Sequence, residues 1–336
     1  MSVDTPPPAV SPERVLMHTL PAVTGAYVLA TAADCSLFTH LENGAHSAAS
    51  LAGRAGISER GAQALLDGLT GMGLVESAED GYRNSPEASA YLVEGRPTYM
   101  GGFARMILSQ AEAFPQLPQA VRNGSPVATD DLSTEDHPMW RELVMAIVPL
   151  ATPLAQQVAE RVVRDRGAIS ILDIGGGSGV YSAVLLGANP QATATQLDWP
   201  SVNAIGREFV GSHGVGDRFT TLDGDFHTTD LGEALYDVVV YSNIAHQEGP
   251  DDNVDVFRRI RRALRPGGVL VISDFVLDAG GRGHPFAGLF STVMLLNTKR
   301  GASWRQPDYE RWLGEAGFTD VRVEPTPSPS ALIFAS

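Results

Sequence analysis

The stretch Ile169-Ser170-Ile171-Leu172-Asp173-Ile174-Gly175-Gly176-Gly177-Ser178-Gly179 decides how this chain folds. Six mostly apolar residues, too few for a helix, run into a glycine-rich loop, and helical spacing resumes at Val180. Strand, tight loop and helix in immediate succession are the opening unit of an α/β doubly wound fold. Glycines let the backbone turn sharply and bring its N–H groups, with a helix N-terminus, against an anionic ligand group. The first competitor is a dinucleotide, whose fingerprint needs a small residue three positions after its second glycine. Counted from Gly175 and Gly177 that position is Val180, so the fingerprint fails.

Short apolar runs recur after the loop: Ala194–Leu197, Arg218–Thr221, Val238–Tyr241, Val269–Ser273, Val321–Val323 and Ala331–Phe334. Helical segments separate all but the last two, which predicts a Rossmann-like parallel sheet ending in an antiparallel hairpin. Leu264-Arg265-Pro266-Gly267-Gly268 reads as a turn before the fifth run. Acids close the early runs. Asp198 ends the second, where doubly wound nucleotide sites bond two ribose hydroxyls. Asp225 follows the third, where an acid accepts from an adenine amino group while Phe226 lies against the ring. Glycine loop, Asp198 and Asp225 in that order, each at a strand end, point to one adenosine-containing ligand.

The N-terminal half is built differently. Residues 1–11 read as a disordered tail. Pro12 to about Leu41 has apolar residues at helical spacing. Ser47–Gly53 and Ser58–Leu69 read as two short helices, with Ser58 as an N-cap. Leu74-Val75-Glu76, a turn at Glu79-Asp80-Gly81 and a polar return complete a winged-helix pattern. Residues 12–96 form this module, 97–164 a mostly helical linker with a polar break around Asn123–Asp136, and 165–336 the sheet domain. The chain has 336 residues, 43% hydrophobic and 19% charged, enough for two packed domains. Its net charge of −15 disfavours nucleic acid and anionic membrane. The single Cys35 has no internal partner, which fits a reducing cytoplasm. No uninterrupted apolar run reaches the roughly 18 residues of a membrane span.

From Ile169 onward the chain resembles the class I methyltransferases that use S-adenosylmethionine. LDIGGGSG (172–179), LDWP (197–200), GDF (224–226) and LRPGG (264–268) stand in that family's order. With its helical N-terminal half, the whole chain is similar to the plant-type two-domain small-molecule O-methyltransferases and their bacterial natural-product relatives. The resemblance implies S-adenosylmethionine as cofactor, leaving as S-adenosylhomocysteine, held by Asp173, Gly175, Gly177, Asp198, Asp225, Phe226 and Ser242. It implies a homodimer made through the winged-helix module, and an acceptor pocket including Met106, Trp140, Phe290, Met294 and Asn297.

Methyl transfer needs a nucleophile held in line near ~3 Å, and a phenol of pKa about 10 needs a base at neutral pH. Histidine suits that task. His246 follows the fourth run on the carboxyl-end rim, and by resemblance it is the base, oriented by Asp274. The chain departs from the plant-type pattern at three places. Gln247 replaces an aspartate, Glu248 replaces a tryptophan, and Ala302-Ser303 stand where a second acid is expected. His227 and His284 are the other rim candidates, while His18, His40, His46, His137 and His213 read as structural or exposed. A metal on His246, Glu248 and His284 lacks any tight ligand spacing. A DNA-binding regulator is disfavoured because Gly44–Val93 carries three bases (Arg54, Arg60, Arg83) against six acids (Glu59, Asp67, Glu76, Glu79, Asp80, Glu87). The residues alone leave open whether oxygen, nitrogen or carbon receives the methyl, and a fold relative with other chemistry is the third reading.

Overall fold

The computed structural model describes residues 12–44, 46–109, 113–127 and 139–336. The expected tail at 1–11, most of the polar break and His137 lie outside them. The chain divides into two compact units, Met1–Ala111 and Glu112–Ser336. The segment 97–164 is shared: the helix Gly101–Ser109 falls in the first unit, and Phe114–Gln116, Leu117–Asn123 and Met139–Val162 in the second.

In the first unit, the helical stretch read from Pro12 to Leu41 forms three helices, Pro12–Met17, Leu20–Asp34 and Leu37–Glu42. Ser36 sits in the left-handed region (φ 51°), which ends the second helix. The helices Ala48–Ala55 and Glu59–Gly71 follow, with Ser47 and Ser58 hydroxyls capping the N–H groups of Ser50 and Gly61 at 3.1 and 3.0 Å. Strands β1 (Val75–Ala78) and β2 (Gly81–Asn84) pair antiparallel as the wing. Phe38, Leu41, Leu51, Leu66 and Leu69 form this unit's core.

Seven strands build the second unit: β3 (Ser170–Ile174), β4 (Thr193–Asp198), β5 (Phe219–Asp223), β6 (Tyr236–Ser242), β7 (Leu264–Asp274), β8 (Val321–Glu324) and β9 (Ala331–Ala335). They lie in the order β5-β4-β3-β6-β7-β9-β8. The first five are parallel, and β9 runs antiparallel to both β7 and β8, as the missing helix between the last two runs requires. Alternate residues feed two core layers. Ile171, Val238, Val240 and Val271 pack with Leu154, Ala155 and Val158 of the long helix Met139–Val162. Leu172, Val239, Tyr241 and Ile272 pack with Phe257, Ile260, Tyr309 and Trp312 on the other face. Two described stretches, 12–34 and 140–162, have the length and apolar content of a membrane span; the second lays a buried face into the first of these layers.

The turn expected at Leu264–Gly268 lies inside β7. The register jumps from Tyr236↔Leu264 to Val238↔Val269, so residues 265–268 bulge from the ladder, where Pro266 has no N–H to give. Asn203, in the helix Pro200–Ser212, ties the ends of β4 and β5 together. Its amide donates to the carbonyls of Asp198 and Leu222, both at 3.0 Å, and to Asp223 Oδ1 at 2.7 Å, and it accepts from Gln196 at 3.2 Å. Asn203 is fully buried, so Asn203→Ala strands these partners. We expect a loss of about 2 kcal/mol in urea unfolding, with cofactor affinity falling alongside it.

Candidate active site

The glycine loop closes over the carboxyl end of β3, between β4 and β6, where the strand order reverses and a doubly wound sheet opens its crevice. Gly175 is left-handed (φ 62°), and a Cβ there would lie 2.6 Å from Ile244 Cδ1. Its N–H donates to Leu197 O at 2.8 Å, locking the loop to β4. Gly177, also left-handed (φ 58°), donates to Asp198 Oδ2 at 2.9 Å. Gln196 supports the loop from below by donating to Gly177 O at 3.1 Å.

Two carboxyls face this loop at a penalty. Asp173 Oδ2 accepts from the Ser182 hydroxyl at 2.7 Å and from its N–H at 3.3 Å, while Oδ1 is buried without a partner. Burial pushes its carboxyl up to about 6. Burial likewise pushes Asp198 up to about 6, against the pull of the Gly177 and Trp199 N–H groups. A cavity of about 460 Å³ joins Asp173, Gly175, Gly177, Asp198, Asp225, Phe226 and Ser242, so all seven cofactor candidates line one space. Trp140 lines it as well. The unpartnered carboxylate oxygen fits an ammonium, the strand-end acid fits a diol, and the glycine cradle leaves no room for side chains. That donor set fits S-adenosylmethionine.

Beside this cavity lies a buried dyad. His246, in the short turn Ala245–Gln247 after β6, places Nδ1 2.6 Å from Oδ1 of Asp274 at the end of β7. Asp274 is fully buried and collects three more donors: the N–H of His246 at 3.0 Å, the N–H of Phe275 at 2.8 Å and the hydroxyl of Tyr309 at 3.1 Å. Burial, then the charge of Asp274, pushes the Tyr309 hydroxyl well above its ordinary value, so it remains a donor. With Nδ1 committed to Asp274, the imidazole keeps Nε2, which bonds no described residue. Phe275 stacks on the imidazole at 5.4 Å and Phe290 meets it edge-on at 4.9 Å.

The remaining expectations scatter. Phe290 touches the dyad, Met294 is buried in the same helix, Pro285–Asn297, and the Asn297 amide bonds its own helix at Val293 O. Met106 stands on Gly101–Ser109 of the first unit. His284 caps the helix Pro285–Asn297 by accepting from Phe286 N–H at 3.2 Å. His227 pairs with Glu248 at 3.3 Å, so Glu248 does not supply the missing acid at His246. Where that acid was expected, Ala302 N–H donates to His246 O at 2.9 Å and Ser303 is buried. No metal-binding group of acids, histidines and cysteine occurs among the described residues.

Sequence reasoning missed Tyr309, Gln196 and Asn203, whose roles depend on partners far along the chain. It also passed over Asn243, a cavity-lining residue in the left-handed conformation (φ 56°). An asparagine just past a strand end is a readable signal for that conformation.

Comparison with known proteins places the chain. Residues 140–319 match the O-methyltransferase domain, and residues 17–94 the O-methyltransferase dimerisation domain. The tetracenomycin polyketide synthesis 8-O-methyl transferase TcmO of Streptomyces glaucescens is 32% identical, over 96% of this chain and 95% of its own. The 3-hydroxy-5-methyl-1-naphthoate 3-O-methyltransferase of Streptomyces sahachiroi is 31% identical, over 97% and 95%. The solved structure of PigF with S-adenosylhomocysteine superposes with a TM-score of 0.85 at 25% identity, covering 98% of this chain and 100% of that one. With the glycine cradle, its acids and both domains accounted for, the chain belongs to the S-adenosylmethionine-dependent O-methyltransferases.

Proposed function

We propose that this O-methyltransferase acts on a phenolic hydroxyl of a small, polyketide-like aromatic acceptor, with His246 as general base. The observation that carries the reading is the His246–Asp274 pair, buried at 2.6 Å beside the cofactor cavity. Asp274 holds Nδ1–H and leaves the Nε2 lone pair to take the acceptor's proton. When bound, S-adenosylmethionine supplies a methyl on a positively charged sulfur, already a strong electrophile. Asp173 would hold its ammonium end, Asp198 the ribose hydroxyls, Asp225 and Phe226 the adenine, and Ser242 the wall between them. As His246 gains the proton, Asp274 stabilises the resulting charge, and its three other donors keep it from rotating away. The loss of a second orienting acid is tolerable because one buried carboxylate already fixes the imidazole.

Phe275, Phe286 and Phe290 form a connected aromatic cluster against the imidazole, which supports an aromatic acceptor. The two Streptomyces relatives are named for a polyketide and a hydroxynaphthoate, which supports the same class. Trp140, Met294 and Asn297 are proposed to border the acceptor, and the resemblance alone carries Met106. The working form is proposed to be a cytoplasmic homodimer. Its support is the dimerisation-domain match and the apolar face of the first helices, where Val15, Leu16, Met17, Leu20 and Val23 are 57–74% exposed.

Labelled-methyl transfer to hydroxynaphthoate-type phenols tests the base. His246→Ala should lower kcat by about a hundredfold or more while S-adenosylhomocysteine affinity stays within about threefold. Unimpaired turnover in that variant would sink the assignment.

Asp173 carries a pH signature whose sign follows from its raised value. Between about 4 and about 6 the folded, cofactor-free protein holds a proton that the unfolded chain has released. The carboxylate therefore weakens the empty fold at pH 7 and is relieved on acidification. Asp173→Asn should stabilise the cofactor-free protein at pH 7.5 by about 1–3 kcal/mol, a gain that shrinks towards pH 5. The same variant should bind S-adenosylhomocysteine at least about tenfold more weakly. Thermal melts and calorimetric titration across that range read both effects.

Light scattering at micromolar concentration should return twice the 35.7 kDa chain mass. Leu20→Lys together with Val23→Lys should shift it to the monomer.

A further inference from the structure

The two loops that flank Phe226 in the cavity are joined by a charged pair outside the methyl-transfer machinery. The pattern this chain resembles has a tryptophan where Glu248 stands, so the chain lacks an aromatic side chain there. In its place Glu248 Oε1 lies 3.3 Å from His227 Nε2. The His227 ring lies against Phe226, with centroids 4.3 Å apart and planes tilted by 36°. The His227 N–H donates to Asp225 Oδ1 at 2.8 Å. One residue therefore contacts the acid, the ring and the opposite loop, and all four residues line the cofactor cavity.

The backbones at both ends are pinned. Arg259 donates to the carbonyls of Phe226 and Thr229. The Glu248 carbonyl accepts from the Trp304 indole at 3.2 Å and from Asn253 at 3.4 Å. Between these backbones the side-chain pair spans from one loop to the other, 3.3 Å apart. We propose that His227 and Glu248 form an ionic latch that positions the adenine of the cofactor. The proposal rests on the reading that Asp225 and Phe226 receive that ring.

The charges around His227 give the latch a direction in pH. Its bond to Glu248 raises the imidazole above its ordinary value, against its partial burial, and the charges of Glu248, Asp225 and Asp252 add to the rise. Asp252 is itself paired with Arg300, and Arg259 bonds the adjacent carbonyl. The protonated form favours the closed pair, so the latch is strongest on the acid side of the raised value and loosens as pH rises through it.

Calorimetric titration of S-adenosylhomocysteine from pH 6.5 to 9 tests this. Wild-type affinity should fall by about threefold to fivefold over that range, the worth of a partly exposed ion pair. Glu248→Gln and His227→Gln should each bind more weakly at pH 7 and lose most of the pH dependence. His227→Phe combined with Glu248→Trp should restore tight, pH-independent binding. With S-adenosylmethionine varied at saturating acceptor, the single variants should raise KM for the cofactor with little change in kcat. An unchanged pH dependence in both single variants, with folding intact by thermal melt, overturns the latch. Unchanged affinity in Phe226→Ala and Asp225→Asn instead overturns the underlying placement of adenine, so the two failures are separable.

Discussion

The architecture turns on one pairing constraint, the parallel alignment of β3 with β4 on one side and β6 on the other. A central parallel strand is buried on both faces, so its neighbours reach it only through helical crossovers. The chain therefore leaves β3 towards β4 and returns to β6, and the two crossovers diverge at the carboxyl end. The crevice between them is a consequence of topology. Asp173, Asp198, Ser242 and Asn243 meet there because each lies within the last two residues of one of these strands or immediately after it.

That crevice holds its acids in an unfavourable state. Asp173 is buried with one oxygen unpartnered, and the Ser182 hydroxyl and N–H offset only part of its desolvation. A residue chosen for the stability of the empty fold would be neutral at this position. A carboxylate there is understandable as a group whose partner arrives with the ligand. Asn203, fully buried nearby, uses both its amide nitrogen and its amide oxygen within the protein.

The dyad follows a different logic. Asp274 lies where β7 ends and is held by donors from three places: the turn after β6, its own next residue, and Tyr309 in the helix Gln306–Glu315. His246 gains an oriented ring because that acid cannot swing, and because Phe275 and Phe290 hold its plane. One acid constrained from several sides holds the imidazole through Nδ1. Glu248 pairs with His227 at the neighbouring loop.

How much of this was legible in the chain follows from what each feature depends on. The seven strands, the antiparallel end of the sheet, the capped helices of the first unit and the glycine loop all rest on local spacing and turn chemistry. Residues within a few positions of one another carry that information. His246 and Asp274 were readable as types at strand ends, with their pairing implied by resemblance. The Tyr309 bond, the Gln196–Asn203 support and the His227–Glu248 pair join residues that no periodicity connects. The three-way division of the N-terminal helical stretch at Thr19 and Ser36 was equally hidden. By itself the sequence determined the fold class, the cofactor loop and the strand-end acids, because strand period and glycine conformation are local properties. Tertiary structure alone decided which acid keeps an unpartnered oxygen, which histidine meets a buried carboxylate and which meets Glu248, because burial and partner distance exist only once distant segments are packed together.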